Sequence, residues 1–204
     1  MRPLRLGLTG NIGSGKSTAA RLLVARGAAL VDADELAREA AGDPEVLARI
    51  AAELGPELVE DGRLDRAATA ARVFGDEAAR QALNAIVHPW VRRRSDEEVR
   101  ALLERAPPPV ILLDIPLLFE NGLERGLDGV IVVAADLPAR VARVAARSGL
   151  REDEVRARDA AQMPLAEKAR RADYLLDNSG SPEALGAQID ALWAELTKRA
   201  REDP

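Results

Sequence analysis

A glycine-rich stretch near the amino terminus carries the residue types that bind phosphate. The stretch Gly10-Asn11-Ile12-Gly13-Ser14-Gly15-Lys16-Ser17 matches the pattern G-x-x-x-x-G-K-S/T. An apolar run precedes it at 4–9, and a helical pattern at 18–26 follows it and ends at Gly27, which is the strand–loop–helix context that the motif requires. Glycines let backbone N–H groups close around a phosphate, and the helix amino terminus adds partial positive charge. We therefore predict a phosphate-binding loop.

The side chains of this loop have separate predicted roles. Lys16 can reach the outer phosphates and is a predicted catalytic residue, and the Ser17 hydroxyl can ligate magnesium. The residues predicted to bind the nucleotide here are Asn11, Ile12, Gly13, Ser14, Gly15, Lys16, Ser17 and Thr18.

Five short apolar runs predict the strands of a parallel sheet. They lie at 4–9, 28–31, 110–113, 129–134 and 172–176. Helical patterns separate them, which favours a three-layer α/β domain with a five-stranded parallel sheet. Ligands of such sheets bind beyond the carboxyl ends of the strands, where several of the polar residues below fall.

Two helical excursions interrupt this alternation. The first, 36–105, has amphipathic patterns at 45–53, 66–74, 77–87 and 90–104, and we interpret it as an insertion that binds the second substrate. The second, about 138–167, is rich in arginine and is a predicted lid. The predicted core is then 1–35 with 106–204.

Two aspartates end the second predicted strand. A kinase needs a group that orients the acceptor hydroxyl and accepts its proton, and an aspartate can do both. An aspartate at this point could instead cap the following helix. We predict that Asp32 is the catalytic, substrate-binding carboxylate and that Asp34 is the cap.

Two other polar residues follow strands, and each has two interpretations. Asp114 either assists magnesium or makes a turn before Pro116. Asn178 either contacts the adenine of the nucleotide or builds a turn. We include Asn178 among the predicted nucleotide-binding residues.

Arg143 and Arg147 lie one helical turn apart in the predicted lid. Such a pair can clamp a transferring phosphoryl group, and closure of the lid would exclude water. A solvated helix face is the alternative, because acidic residues follow closely. We predict that both arginines are catalytic.

Three further residues are predicted to bind the substrate. His88, the only histidine, either contacts substrate or packs among its apolar neighbours. Leu117 and Phe119 either line the acceptor pocket or belong to the core.

Composition narrows the class of protein. The 204 residues are 47% hydrophobic and carry a net charge of −5, which argues against a broad nucleic-acid or membrane-binding surface. Without cysteine there are no disulfides, and a single histidine makes a zinc site improbable. The first predicted strand follows Met1 so closely that we expect no signal peptide and a cytoplasmic protein. A monomer or weak homo-oligomer is the expected state.

Taken together, these residues resemble the dephospho-coenzyme A kinase family of P-loop kinases. The resemblance extends over nearly the whole chain. Besides the phosphate-binding loop it includes Asp32-Ala33-Asp34, 61–66, Val73-Phe74, His88-Pro89, Pro116–Glu120, Gln162, Lys168, Ala172-Asp173 and 177–180. The chain departs from the pattern at Asn11, where glycine is common, and at Arg140, where glutamine is usual.

The resemblance implies a kinase core, a coenzyme-binding helical lobe and a lid. It implies transfer of the γ-phosphoryl group of Mg²⁺–ATP to the ribose 3′-hydroxyl of dephospho-coenzyme A, the last step of coenzyme A biosynthesis. Asp32 would be the base, Lys16 the phosphate clamp, and Arg143 and Arg147 the lid arginines. The alternative is another P-loop small-molecule or nucleotide kinase. A nucleotide switch is disfavoured because such proteins carry D-x-x-G after a core strand, whereas here Asp114 is followed by Ile115-Pro116-Leu117.

Overall fold

The computed structural model describes residues 2–202 and divides the chain into two compact units. One unit comprises the chain up to Val31 and from Leu102 onward, and the other is Asp32–Ala101. Each is described by itself below.

A five-stranded parallel sheet forms the centre of the first unit, which confirms the predicted α/β class. Its strands, in chain order, are β1 (Leu4–Thr9), β2 (Ala29–Asp32), β5 (Val110–Asp114), β6 (Gly129–Ala134) and β7 (Tyr174–Asp177). Their order across the sheet is β2-β5-β1-β6-β7. Three of the five strands begin or end one or two residues away from the predicted bounds, as is usual for element ends.

Helices cover both faces of this sheet. The helices of the unit are α1 (Lys16–Val24), α6 (Leu137–Ser148), α7 (Glu152–Ala160), α8 (Leu165–Arg171) and α9 (Pro182–Glu202). Leu4, Leu6 and Leu8 alternate along β1 onto one face, where they join α1 and α9 in the main core. On the other face, Leu118 and Phe119 pack against β6 in a second cluster.

The second unit is mostly helical. It contains α2 (Ala33–Ala40), α3 (Pro44–Leu54), a single 3₁₀ turn (Pro56–Leu58), the short antiparallel strands β3 (Val59–Glu60) and β4 (Arg63–Leu64), α4 (Arg66–Val73) and most of α5 (Glu77–Arg105). The hairpin was not predicted from the sequence. Its turn places Asp61 and Gly62 at positive φ, a conformation that asparagine, aspartate and glycine adopt most readily.

Helix α5 differs from the two separate amphipathic patterns predicted around Pro89. It runs unbroken through this proline for 29 residues. A proline removes one N–H and strains the preceding turn, but it does not always end a helix. Ile86 and Trp90, on either side of Pro89, are buried, so packing holds both halves in one helix.

Candidate active site

The phosphate-binding loop connects β1 to α1, and its glycines are required by close contacts. A side chain at Gly10 would place its Cβ 2.5 Å from the Val133 carbonyl oxygen. At Gly13, with φ of 78°, a Cβ would lie 2.6 Å from the Arg140 carbonyl oxygen. Gly15, with φ of 90°, is the N-cap of α1. Both latter angles lie in the region that L side chains rarely adopt.

The N-cap of α1 is Gly15, which has no side chain to cap the helix. Within residues 2–202, no side chain accepts a hydrogen bond from the first turn. The first N–H groups of a helix need an acceptor, and here they lie beside Lys16 and the exposed Ser17. This arrangement of donors and positive charge suits a phosphate.

Lys16 forms an ion pair with Asp114, the last residue of β5. The Lys16 Nζ atom donates to Asp114 Oδ1, and Asp114 is 4% exposed. The register pairs Leu8 of β1 with Asp114, so the sheet itself brings this carboxylate to the start of the loop. Of the two interpretations of Asp114, this placement fits the nucleotide-side one.

Asn178 has a contact that neither sequence interpretation included. Its Nδ2 donates to the Ser14 carbonyl oxygen at 2.8 Å, and the residue is 8% exposed. The same amide fills the space that a Cβ on Gly15 would need. Asn178 therefore braces the phosphate-binding loop, while its contact with adenine stays a prediction.

The two predicted lid arginines have different surroundings. Arg143 donates from Nη2 to the Asn178 carbonyl oxygen at 2.7 Å, and its Nη1 is buried with no hydrogen-bond partner within residues 2–202. Arg147, one turn further on, is exposed and has no hydrogen bond or ion pair with any residue that the structure describes. Arg143 therefore lies beside the loop, whereas Arg147 projects into solvent.

The first half of the loop is held by residues of the predicted lid. The Ile12 N–H donates to Gln162 Oε1 at 2.9 Å, and the Asn11 side chain donates to Asp159 at 2.8 Å. The Asn11 side-chain amide and the Ile12 N–H therefore support the loop through contacts with protein, while contact of these two residues with the nucleotide stays a prediction. Asp159 was not predicted, because 148 residues separate it from Asn11 and no local pattern marks it.

The prediction for the two aspartates after β2 is wrong in one respect. Asp32, rather than Asp34, is the N-cap of α2, and its Oδ1 accepts from the Asp34 N–H at 2.8 Å and the Glu35 N–H at 3.1 Å. Helix α2 begins at Ala33, two residues earlier than a cap at position 34 would allow. Both hydrogen bonds use Oδ1, and Oδ2 has no hydrogen-bond partner in the part of the chain that the structure describes.

The structure distinguishes between the alternative interpretations of Phe119, Leu117 and His88. Phe119 is 5% exposed and stacks beneath the Arg171 guanidinium, 4.5 Å from the ring centre, so it belongs to the core rather than to an open pocket. Leu117 is 41% exposed, which excludes its core interpretation. His88 is exposed on α5, so its packing interpretation is wrong, since the helix turns Ile86 and Trp90 inward instead.

A buried ion pair fixes the segment after β5. Lys168 of α8 is fully buried and lies 2.8 Å from the Glu120 carboxylate, which also accepts from the Met163 N–H at 2.9 Å. Burial raises the pKa of Glu120, but the hydrogen bonds from Lys168 and Met163 outweigh it and hold this pKa below its usual value. Both residues occur in the sequence resemblance, which assigned them no role.

Comparisons with known proteins agree with this geometry. A family model described as dephospho-CoA kinase matches residues 4–183. A dephospho-CoA kinase of Deinococcus radiodurans is 52% identical over 194 residues, which are 95% of this chain and 93% of the relative. One from Thermus thermophilus is 49% identical over 199 residues, covering 98% of this chain and 95% of the relative.

Solved structures have the same fold as this chain. A crystal structure from Thermus thermophilus superposes with a TM-score of 0.82 at 49% identity and covers 96% of this chain and 99% of that one. A dephospho-CoA kinase from Campylobacter jejuni, at 24% identity, superposes with a TM-score of 0.72 over 96% of this chain and 98% of that one, and therefore supports the fold alone. The chain is a kinase and belongs to the dephospho-CoA kinase family.

Proposed function

We propose that this kinase transfers the γ-phosphoryl group of ATP to the ribose 3′-hydroxyl of dephospho-coenzyme A, with Asp32 as the base. The observation that carries the proposal is the family match over residues 4–183, which includes both the phosphate-binding loop and the helical second unit. A match to the loop alone would fit many kinases. A match that includes the insertion supports the same acceptor as well as the same donor.

The loop supplies the electrostatic part of the mechanism. Phosphoryl transfer passes through a loose transition state whose charge spreads over the equatorial oxygens, so catalysis is mostly positioning and charge stabilisation. The uncapped N–H groups of α1 would hold the phosphates, and Lys16 would neutralise the outer ones. Arg143 fits a similar role, because its buried Nη1 lacks a hydrogen-bond partner within the described chain.

The residues present fit a magnesium ion. Ser17 offers an exposed hydroxyl and Asp114 a carboxylate, and hard oxygen atoms are the ligands that Mg²⁺ prefers. Within residues 2–202 there is no group of three or more His, Cys, Asp or Glu side chains that could hold a metal. Few protein ligands are typical of Mg²⁺, which in kinases binds mainly phosphate and water and neutralises the charge of the phosphates.

Asp32 suits the acceptor hydroxyl because one of its oxygens is free to accept a proton. The cap uses Oδ1 and fixes the side-chain rotamer, while Oδ2 has no hydrogen-bond partner among the described residues. In the proposed step the hydroxyl oxygen bonds to the γ-phosphorus, and the bond to the β,γ-bridging oxygen breaks to release ADP. The hydroxyl proton passes to Asp32.

The Asp32→Asn variant tests this proposal. Asparagine is as good an N-cap as aspartate, so α2 should keep its cap while the base is lost. We expect kcat to fall by about 10²–10⁴ with the KM for ATP little changed. The rate of ADP release is measured by a coupled colorimetric assay, with and without dephospho-coenzyme A.

Asp43→Asn is the matched control. Asp43 caps α3 with the same pattern, accepting from Glu45 and Val46 N–H groups, and its variant should leave the kinetics unchanged. If Asp32→Asn leaves kcat unchanged, Asp32 is a cap and not a base. If the wild type releases ADP only with a different hydroxyl acceptor, the alternative small-molecule kinase is correct.

The partners that follow from this proposal are ATP and dephospho-coenzyme A, both small molecules. Among residues 2–202, no helix combines the length and the apolar character needed to span a bilayer.

A further inference from the structure

Asp159 of α7 collects hydrogen bonds from two separate parts of the nucleotide-binding unit. Its Oδ1 accepts from the Asn11 side chain of the phosphate-binding loop at 2.8 Å and from Arg140 Nη1 of α6. Its Oδ2 accepts from Arg140 Nη2 at 3.3 Å. The carboxylate therefore joins the loop, α6 and α7 at one point.

Arg140 is a buried cation, and Asp159 is its ion-pair partner. Its side chain is 5% exposed, and it also donates to the carbonyl oxygens of Ala135 at 3.0 Å and Ile12 at 3.4 Å. A buried charge is costly unless it is paired and hydrogen-bonded, so these bonds restrict the guanidinium to one position. Burial raises the pKa of Asp159, but the bonds from Arg140 and Asn11 outweigh it and keep this pKa low, so the pair stays ionised at neutral pH.

These contacts fall on the part of the loop that has no regular secondary structure. Asn11 also donates to the Met163 carbonyl oxygen at 3.3 Å, and Gln162 accepts from the Ile12 N–H. The Arg140 backbone lies so close to Gly13 that a Cβ there would be 2.6 Å from its carbonyl oxygen. The path of the loop from Asn11 to Gly13 is thus set by α6, α7 and the segment after α7.

We propose that Asp159 is a positioning residue that holds the phosphate-binding loop in its nucleotide-binding shape through Asn11 and Arg140. The inference rests on the proposed function only in that the ligand of the loop is ATP. N–H groups that are already ordered bind phosphate without losing conformational entropy on binding. Loosening them should therefore weaken ATP binding and leave the acceptor site unaffected. The same contacts link α7 of the predicted lid to the loop, so displacement of α7 and loss of ATP affinity should accompany each other.

A double-mutant cycle on nucleotide affinity tests this proposal. Asp159→Ala removes the carboxylate that accepts from Asn11 and pairs with Arg140, and Asn11→Ala removes the loop side of the same contact. We expect each variant to raise the Kd for a non-hydrolysable ATP analogue, measured by calorimetry, about tenfold, as for loss of a hydrogen bond to a charged group. The double variant should be no more than about threefold weaker than either single one, because both act through the same contact.

Steady-state kinetics separates positioning from a merely structural role. The KM for ATP should rise with the analogue Kd, while the KM for dephospho-coenzyme A should stay within about twofold, since only the nucleotide loop is loosened. Glu152→Gln is the control, because Glu152 lies on the same helix in an exposed pair with Arg156 and should change neither value.

Several outcomes would overturn the proposal. Unchanged analogue affinity in Asn11→Ala would do so even if Asp159→Ala failed to fold, because Asn11→Ala leaves the Arg140–Asp159 pair intact. If the increases in Kd of the two single variants multiply in the double variant, the two residues act independently. Calorimetry with the ATP analogue needs no acceptor, so a wild type that failed to phosphorylate dephospho-coenzyme A would count against the proposed function and not against this inference.

Discussion

At the scale of single residues, the site is organised by a cation at the start of α1 and a carboxylate at the end of β5. Lys16 could be predicted from its motif, but its partner Asp114 could not, because nearly a hundred residues separate them. The pairing holds the flexible lysine stem in the loop. Asp114 offers a carboxylate next to Lys16, and Ser17 follows Lys16 with an exposed side chain.

The role of Asp114 can be tested with magnesium. Asp114→Asn keeps the size of the side chain but removes its charge, so we expect the Mg²⁺ concentration for half-maximal activity to rise about 10–100-fold. The measurement is turnover against free Mg²⁺ at saturating ATP. An unchanged magnesium dependence, with a lower melting temperature, would mean that Asp114 serves only as the ion-pair partner of Lys16.

At the scale of elements, the amino terminus of α1 depends on the loop after β7. Asn178 bonds to Ser14 and occupies the space beside Gly15, and Arg143 of α6 in turn bonds to the Asn178 carbonyl oxygen. These elements come together because β6 lies next to β1 in the sheet and β7 lies next to β6. The phosphate site is thus supported by the ends of several strands.

Gly15→Ala tests this support. The added methyl group must displace the Asn178 amide, in addition to the cost of a non-glycine residue at positive φ. We expect ATP-analogue affinity to fall by more than about tenfold, as in the loss of more than one hydrogen bond.

Gly126→Ala is the matched control for this substitution. Its φ of 85° is close to the 90° of Gly15, but nothing lies within 4 Å of an added Cβ. It should therefore cost a similar amount of backbone strain and leave nucleotide affinity unchanged. Equal loss of affinity in both variants would show that strain, rather than the contact with Asn178, is responsible.

At the scale of the whole molecule, one buried ion pair connects the packing of α8 with the segment that follows β5. Lys168 is fully buried, and Glu120 is its ion-pair partner. This pair joins α8 to the segment that follows β5, and Lys168 also lies 3.5 Å from the Pro116 carbonyl oxygen, which accepts from Thr9 at the end of β1. Loss of the pair should therefore lower the stability of the whole unit and not only the order of these two side chains.

Acid titration of stability tests the pair. The pKa of Glu120 is lower in the folded protein, so its contribution is fully present above the unfolded pKa of about 4.3 and is lost as pH falls through the folded value. Glu120→Gln should lower the free energy of unfolding by about 1–3 kcal/mol at pH 7. The difference from wild type should shrink below about pH 4, as measured by urea unfolding.

The control for the acid titration is an exposed pair. Arg49 and Glu53 form an i,i+4 ion pair on α3 with both side chains 44% exposed, and Glu53→Gln should cost less than about 0.5 kcal/mol at any pH. If the difference in free energy of unfolding between Glu120→Gln and wild type stays constant down to pH 3, the shape of the side chain at position 120 stabilises the fold and its charge does not.

The sequence by itself determined the class of fold, the loop and the family. These are local properties: apolar runs of strand length, glycines where a backbone must turn, and a lysine and serine at fixed spacing. Each could be interpreted without knowing what lies beside it in space. The cap at Asp32 was misassigned because two adjacent aspartates give the same local signal.

Only the tertiary structure decided which side chains meet. Sheet order brings Asp114 to Lys16, and helix packing brings Asp159 to Asn11 and Asn178 to Ser14. It also turns Phe119 into the core and leaves His88 in solvent, although both have apolar neighbours in sequence. Contacts between residues about 100 to 165 positions apart depend on the relative placement of whole elements, and no local spacing encodes that placement.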